Sequence, residues 1–195
     1  MCKGLAIVVL SLVVGLSGCN RARGIAPDIR PEEYDAFSGY LAYTFTGWEK
    51  NHEKLILFHK TQSAAADSTA FGGPVPWHET AEFLRQEAPS LQPATIDSYL
   101  KANTQQALLG GSLRSPIDYK LVDSAERDSY CLRESGVSIV MTWSRVGFSP
   151  DGTQALFYES YHFGRLNSTG RYIVMDRENA RWTVRKEIAL WSSIE

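Results

Sequence analysis

The chain has 195 residues, 44% of them hydrophobic and 22% charged, with Lys+Arg 20 against Asp+Glu 22 and a formal net charge of -2. That small acidic excess excludes nucleic-acid binding built on a broad basic surface, because such binding rests on neutralising phosphates. Length and apolar content suffice for one well-cored domain, and no internal repeat or second composition block divides the chain.

The chain opens MCKGLAIVVLSLVVGLSGCN, in which Lys3 is the single charged residue and Leu5 to Leu16 are almost purely aliphatic. This apolar run is about 12 residues, whereas a stable helical span needs roughly 20. A basic start, a short apolar centre and small residues before a cysteine are the layout of an export signal. The quartet Leu16-Ser17-Gly18-Cys19 resembles the lipobox of bacterial lipoproteins. The resemblance implies a signal peptide over 1–18 that is cut before Cys19, acylation of the Cys19 thiol, and a partner in the membrane through that lipid. Asn20 stands where members held in the inner membrane usually carry Asp, so in a two-membrane cell the resemblance implies the outer membrane, facing the periplasm. Cleavage removes Cys2 and acylation occupies Cys19, which leaves Cys131 alone among the three cysteines. No intrachain disulfide is then expected, and the core must hold the fold.

Residues 19–30 mix charge, Gly and Pro without an apolar period and read as a tether. A single α+β domain is expected over 31–195. Its first helix is predicted over 31–47, where Tyr34, Phe37, Leu41, Phe45 and Trp48 recur at helical spacing. Pro31 suits the first helical position, and Glu32 and Glu33 suit its positive end. LILFHKTQ, 55–62, is strand-like; Trp77, Ala81, Leu84 and Ala88 mark a second helix over 77–88; and Pro93 opens a third that Gly110 and Gly111 close. A strand over Tyr119 to Val122 and a short helix over Asp128 to Glu134 follow.

From Val137 the pattern turns to β. SIVMTWSRVGF and TQALFYESYHF flank the turn SPDG, and RYIVMD and RWTVRKEIALW flank RENA, giving two hairpins. The expected architecture is α+β: N-terminal helices covering one face of a C-terminal antiparallel β-meander of about four strands, NTF2-like or cystatin-like in outline. SRVGF, QALFY and GRYIVM also resemble a C-terminal pattern of uncharacterised bacterial lipoproteins and secreted proteins, over about residues 75 to 192. That likeness implies fold and envelope location only.

Motifs of chemistry are sparse. FSPDG, 148–152, resembles a β-propeller turn but occurs once and reads as a hairpin turn. His78-Glu79-Thr80-Ala81-Glu82 is one residue from the zincin helix, with Glu82 where the second histidine belongs. Ser98-Tyr99-Leu100-Lys101 matches Ser-x-x-Lys of penicillin-binding proteins, yet Lys60-Thr61-Gln62 precedes it, the wrong order for that family, so it reads as helix surface. No cofactor or metal is called for, and Cys131 reads as a small buried hydrophobe. The richest cluster is Arg145, Tyr158, Glu159, His162, Arg165, Arg171 and Asp176 in the last hairpins. No catalytic residue is assigned; the candidates are His162, as a general base beside Glu159 or Asp176 on a concave sheet face.

Three functions are consistent with this reading. The first is a lipid-anchored, non-catalytic accessory or binding module with a protein or glycan partner at the cell envelope. The second is a small-pocket, NTF2-like ligand-binding protein or enzyme using His162. The third is a structural envelope spacer.

Overall fold

In the computed structural model, described here for residues 28–48, 54–63, 80–110, 113–123, 138–163 and 167–194, Pro31 opens helix α1 (Pro31–Thr44). The helix ends three residues before its predicted limit. Gly47, at φ +79°, turns the chain back after it, and the Trp48 ring then packs edge-on against Phe45 at 5.3 Å. Asp28, Ile29 and Arg30, the end of the expected tether, lie against the domain: Asp28 bridges to Leu108, Ile29 is buried, and the Arg30 backbone N–H donates to Glu33. Helices α2 (Thr80–Glu87) and α3 (Pro93–Ala102) also form where the spacing places them, α3 stopping short of Gly110. The expected helix over Asp128 to Glu134 lies outside the described residues.

The sheet departs from the sequence reading. Its strands are β1 (Lys54–Phe58), β2 (Tyr119–Val122), β3 (Ser138–Trp143), β4 (Gly147–Phe148), β5 (Gln154–Phe163), β6 (Asn167–Glu178) and β7 (Arg181–Ile194). They form one mixed seven-stranded sheet in the order β2-β1-β3-β5-β6-β7, with β4 paired to β5. The α+β class stands, while the four-stranded meander behind N-terminal helices is replaced by this larger sheet. The antiparallel neighbours β3, β5, β6 and β7 are extended by β1 and β2, and β1 runs parallel to both β2 and β3. Leu55, Ile56, Leu57 and Phe58 are all buried, as a parallel strand covered on both faces demands.

Strand alternation sends the core to the two faces of the sheet. Leu57, Met141, Trp143, Phe157 and Ile173 point to one face and pack with Phe37, Tyr40 and Leu41 of α1. Phe37 stacks on Trp143 with ring centroids 4.5 Å apart. Leu156, Tyr158, Tyr172, Val174 and Ile188 point to the other face and pack with Leu84 of α2 and with Ile96 and Tyr99 of α3. The helices therefore sandwich the sheet instead of covering one face, because α1 and the α2–α3 pair each bury a separate apolar stripe.

The run expected as one strand, SIVMTWSRVGF, is broken at Ser144-Arg145-Val146. Both carboxylate oxygens of buried Glu33 hold this break: Arg145 Nη2 donates to Oε1 at 2.6 Å, and the Val146 N–H donates to Oε2 at 3.0 Å. Asn103, just past α3, clamps the same segment from the other side, donating to the Arg145 carbonyl at 3.0 Å and accepting its N–H at 2.8 Å.

Candidate functional site

The candidate residues of the last hairpins do not gather on one concave face. Glu159 is paired in register with Trp143 and Arg171, and its side chain shares the α1 face. His162, three residues on, is paired with Val140 and Ser168 and lies on the opposite face, its Nδ1 bonded to the Ser168 hydroxyl. Asp176 lies beside Gln154 at the far end of β5 and β6, eight strand positions from His162, or roughly 26 Å. It is paired there with Arg185 at 3.2 Å. His162 is thus kept from one carboxylate by strand parity and from the other by distance. Arg145 belongs to the Glu33 clamp, and Tyr158 accepts a hydrogen bond from Trp191 Nε1 at 3.0 Å.

Other motif residues are absorbed into the framework. The Ser98 hydroxyl accepts the Phe148 N–H at 3.1 Å and ties α3 to β4. Glu82 is exposed and bonded along its own helix to Gln86 and Arg85. Cys19, His78, Glu79, Cys131 and Arg165 lie outside the described residues.

Arg171, braced from behind by buried Glu159, instead belongs to a different feature. Arg171 donates to Glu159 Oε1 through Nε at 3.3 Å and Nη2 at 3.2 Å, to the Tyr40 hydroxyl through Nη2 at 2.9 Å, and to Glu187 through Nη1. Burial, opposed by Arg171, pushes the Glu159 carboxyl above the ordinary carboxylate range. Burial also pushes the Tyr40 phenol upward, reinforced by the adjacent Glu159 charge. Arg171 keeps its proton: burial works against its charge, but Glu159, Tyr40 and Glu187 outweigh that effect and raise its pKa.

Beside this cluster lies a cleft of about 510 Å³ between the C-terminal end of α1 and the sheet, lined by Phe45, Trp48, Ile139, Met141 and Tyr161, by five serines and threonines, and by Arg171. The Arg171 guanidinium lies over the Tyr161 ring, 5.1 Å from its centroid. Its volume is in the range of small-molecule sites, and its mostly apolar wall with one charged group fits that class. No protein-family model, curated protein or solved structure matches this chain. The cleft therefore has to be read from its own chemistry.

Periodicity missed the cleft because its wall comes from residues that each read as core. The detectable signal was Arg171 within GRYIVM, a charge on the same strand parity as Ile173. Among the described residues, no three His, Cys, Asp or Glu side chains converge as a metal site, and no helix is long and apolar enough to cross a membrane.

Proposed function

We propose that this chain is a non-catalytic binding module of a bacterial cell envelope, held at a membrane by lipid on Cys19. The observation that carries the binding role is the pair Tyr43 and Trp48. They are the large hydrophobic side chains left exposed among the described residues, 53% and 42% exposed, and both sit at the C-terminal end of α1. Aromatic side chains supply much of the affinity at protein interfaces because they bury large area with few rotors. The placement of Glu159 and His162 on opposite faces favours binding over catalysis. The lipobox resemblance at Leu16 to Cys19 supports the anchor. Acyl chains contribute about 0.8 kcal/mol per buried methylene, so multiple chains on one cysteine suffice for stable attachment without a spanning helix.

A photoreactive residue in place of Tyr43, activated in intact cells, tests the binding role. One envelope protein or glycan captured in stoichiometric yield is the expected result; a chain that stays uncrosslinked overturns it. The anchor is tested separately by Cys19→Ala, which should leave an unprocessed or soluble protein. Unchanged membrane fractionation refutes acylation.

A further inference from the structure

The α1 cleft carries a ligand preference that goes beyond the accessory role. Its one charged wall residue, Arg171, has five N–H donors. The bonds to Glu159, Tyr40 and Glu187 use Nε–H, both Nη2–H groups and one Nη1–H. One Nη1–H is left for a group entering the cleft that Arg171 lines.

The charge around that donor holds no positive excess: one guanidinium faces two carboxylates. Arg171 contributes one positive charge, and Glu187 and Glu159 stand against it as carboxylates. An entering anion meets no excess positive charge, and it forms a two-bond pair with Arg171 only by displacing Glu187. An entering cation comes to rest against the guanidinium itself. Either charge also leaves water for a wall of apolar side chains with Ser and Thr among them, which supplies no counter-ion. An uncharged ligand suffers neither penalty, its apolar body is matched by the wall, and a single acceptor oxygen satisfies the remaining donor.

We propose that this cleft is a binding site for an uncharged small ligand with an aromatic or acyl body and one carbonyl oxygen directed at Arg171. Trp48 is partly exposed and lines the cleft, and so belongs both to this site and to the aromatic pair at the end of α1.

Three naphthalenes of one size separate the charge states: neutral 2-acetylnaphthalene, anionic 2-naphthoate and cationic 2-(aminomethyl)naphthalene. Each is titrated into the full chain in detergent with labelled methionine methyls, read by NMR. Met141 lines the cleft, whereas Met175 lies in the core beneath α1 and serves as an internal control against partition into the micelle. The expected result is a saturable Met141 shift with 2-acetylnaphthalene, with both charged analogues weaker by at least about tenfold. Trp48→Ala should weaken the neutral ligand by about fivefold while leaving the Met175 signal in place, which shows that the fold is retained. A silent Met141, or naphthoate binding as tightly as the ketone, overturns the proposal. A crosslink at Tyr43 with a silent Met141 removes the ligand site and keeps the accessory role; a saturating Met141 with no crosslink does the reverse.

Discussion

Glu159 and His162 stand on opposite faces of one sheet, separated by three positions of β5. The odd spacing forces the separation, since side chains of a strand alternate with a period of two. His162 is thereby committed to the Ser168 hydroxyl and to the end of the β5–β6 pair. His162→Ala should cost about 1 kcal/mol, the worth of an ordinary internal hydrogen bond. It should also leave the Met141 response to 2-acetylnaphthalene within about twofold of the parent, because the imidazole does not line the α1 cleft and reaches it only through Ser168. Denaturant unfolding and the methyl titration read the two effects, and a lost titration with intact stability returns His162 to the site.

Glu33 and Arg145 act as a rivet between α1 and the break after β3. Arg145 is only 12% exposed, so Glu33→Ala strands a nearly buried charge. Breaking such a pair from one side costs about 3 kcal/mol or more. The pH dependence has a defined sign. Burial opposes ionisation of Glu33, but the bonds from Arg145 and Val146 outweigh it and hold the carboxyl below its ordinary value. The ionised rivet thus contributes its full stability above the unfolded-state pKa and loses it as pH falls through the folded-state value. The stability gap between the parent and Glu33→Gln should therefore narrow on acidification from about pH 6 to about pH 3. A gap that widens in acid contradicts the assignment.

Glu159 should behave in the opposite way. Burial outweighs Arg171 and raises its carboxyl pKa, so the folded chain binds the proton more tightly than the unfolded one. Its contribution is complete below the unfolded-state pKa and declines as pH rises through the folded-state value. Relative to the parent, Glu159→Gln should gain stability as pH rises above the ordinary carboxylate range. Melting curves of the Glu33 and Glu159 variants against pH should change with opposite slopes. Parallel slopes would mean that one of the two carboxylates is assigned the wrong protonation preference.

The local grammar of this chain was readable, and its long-range pairing was not. Pro31 and Pro93 announce α1 and α3, Tyr119 to Val122 is a strand as expected, and both hairpins close at their turn residues. The parallel insertion of β1 between β2 and β3 left one hint, the unbroken apolar run Leu55 to Phe58, because a strand buried on both faces needs no alternation. Glu33 was legible only as a helix-start acid. Its real partner is Arg145, and a pairing across that sequence distance leaves no local pattern. Glu159 and His162 show the converse: counting strand parity within QALFYESYHF already separates them. The α1 cleft was the least legible, since its wall residues fit the core pattern and only the fold reveals that the space between them is open.

Gly147 marks where β4 meets α3. A Cβ at this position falls 2.3 Å from the Tyr99 backbone nitrogen and 2.4 Å from its Cα. A backbone cannot yield by rotating a side chain, so Gly147→Ala must push α3 away from the sheet and break the Ser98–Phe148 bond. The expected loss is about 3 kcal/mol, the upper end for overpacking. The observable beyond stability is loss of amide protection at Phe148, measured by hydrogen exchange. A variant with parent-like stability and exchange would mean that α3 and β4 do not approach this closely.

Ala180 offers a change in the other direction. The β6–β7 hairpin turns through Asn179 at φ 48° and Ala180 at φ 64°, both in the left-handed region. A two-residue turn of this hand matches the twist of the strands it joins, and it favours Asn followed by Gly. Asn179 satisfies the first position, whereas the Cβ of Ala180 crowds its own carbonyl, at a cost of roughly 1–2 kcal/mol. Replacing it with glycine removes that crowding but gives the unfolded chain more freedom, which offsets about half of the gain. Ala180→Gly should therefore stabilise the protein by about 0.5–1 kcal/mol. Because β6 and β7 pair along most of their length from this turn, the gain should appear as slower unfolding if the hairpin forms late and as faster folding if it forms early. Chevron kinetics distinguishes the two, and a destabilised variant would show that Ala180 is held in place by packing that outweighs its backbone strain.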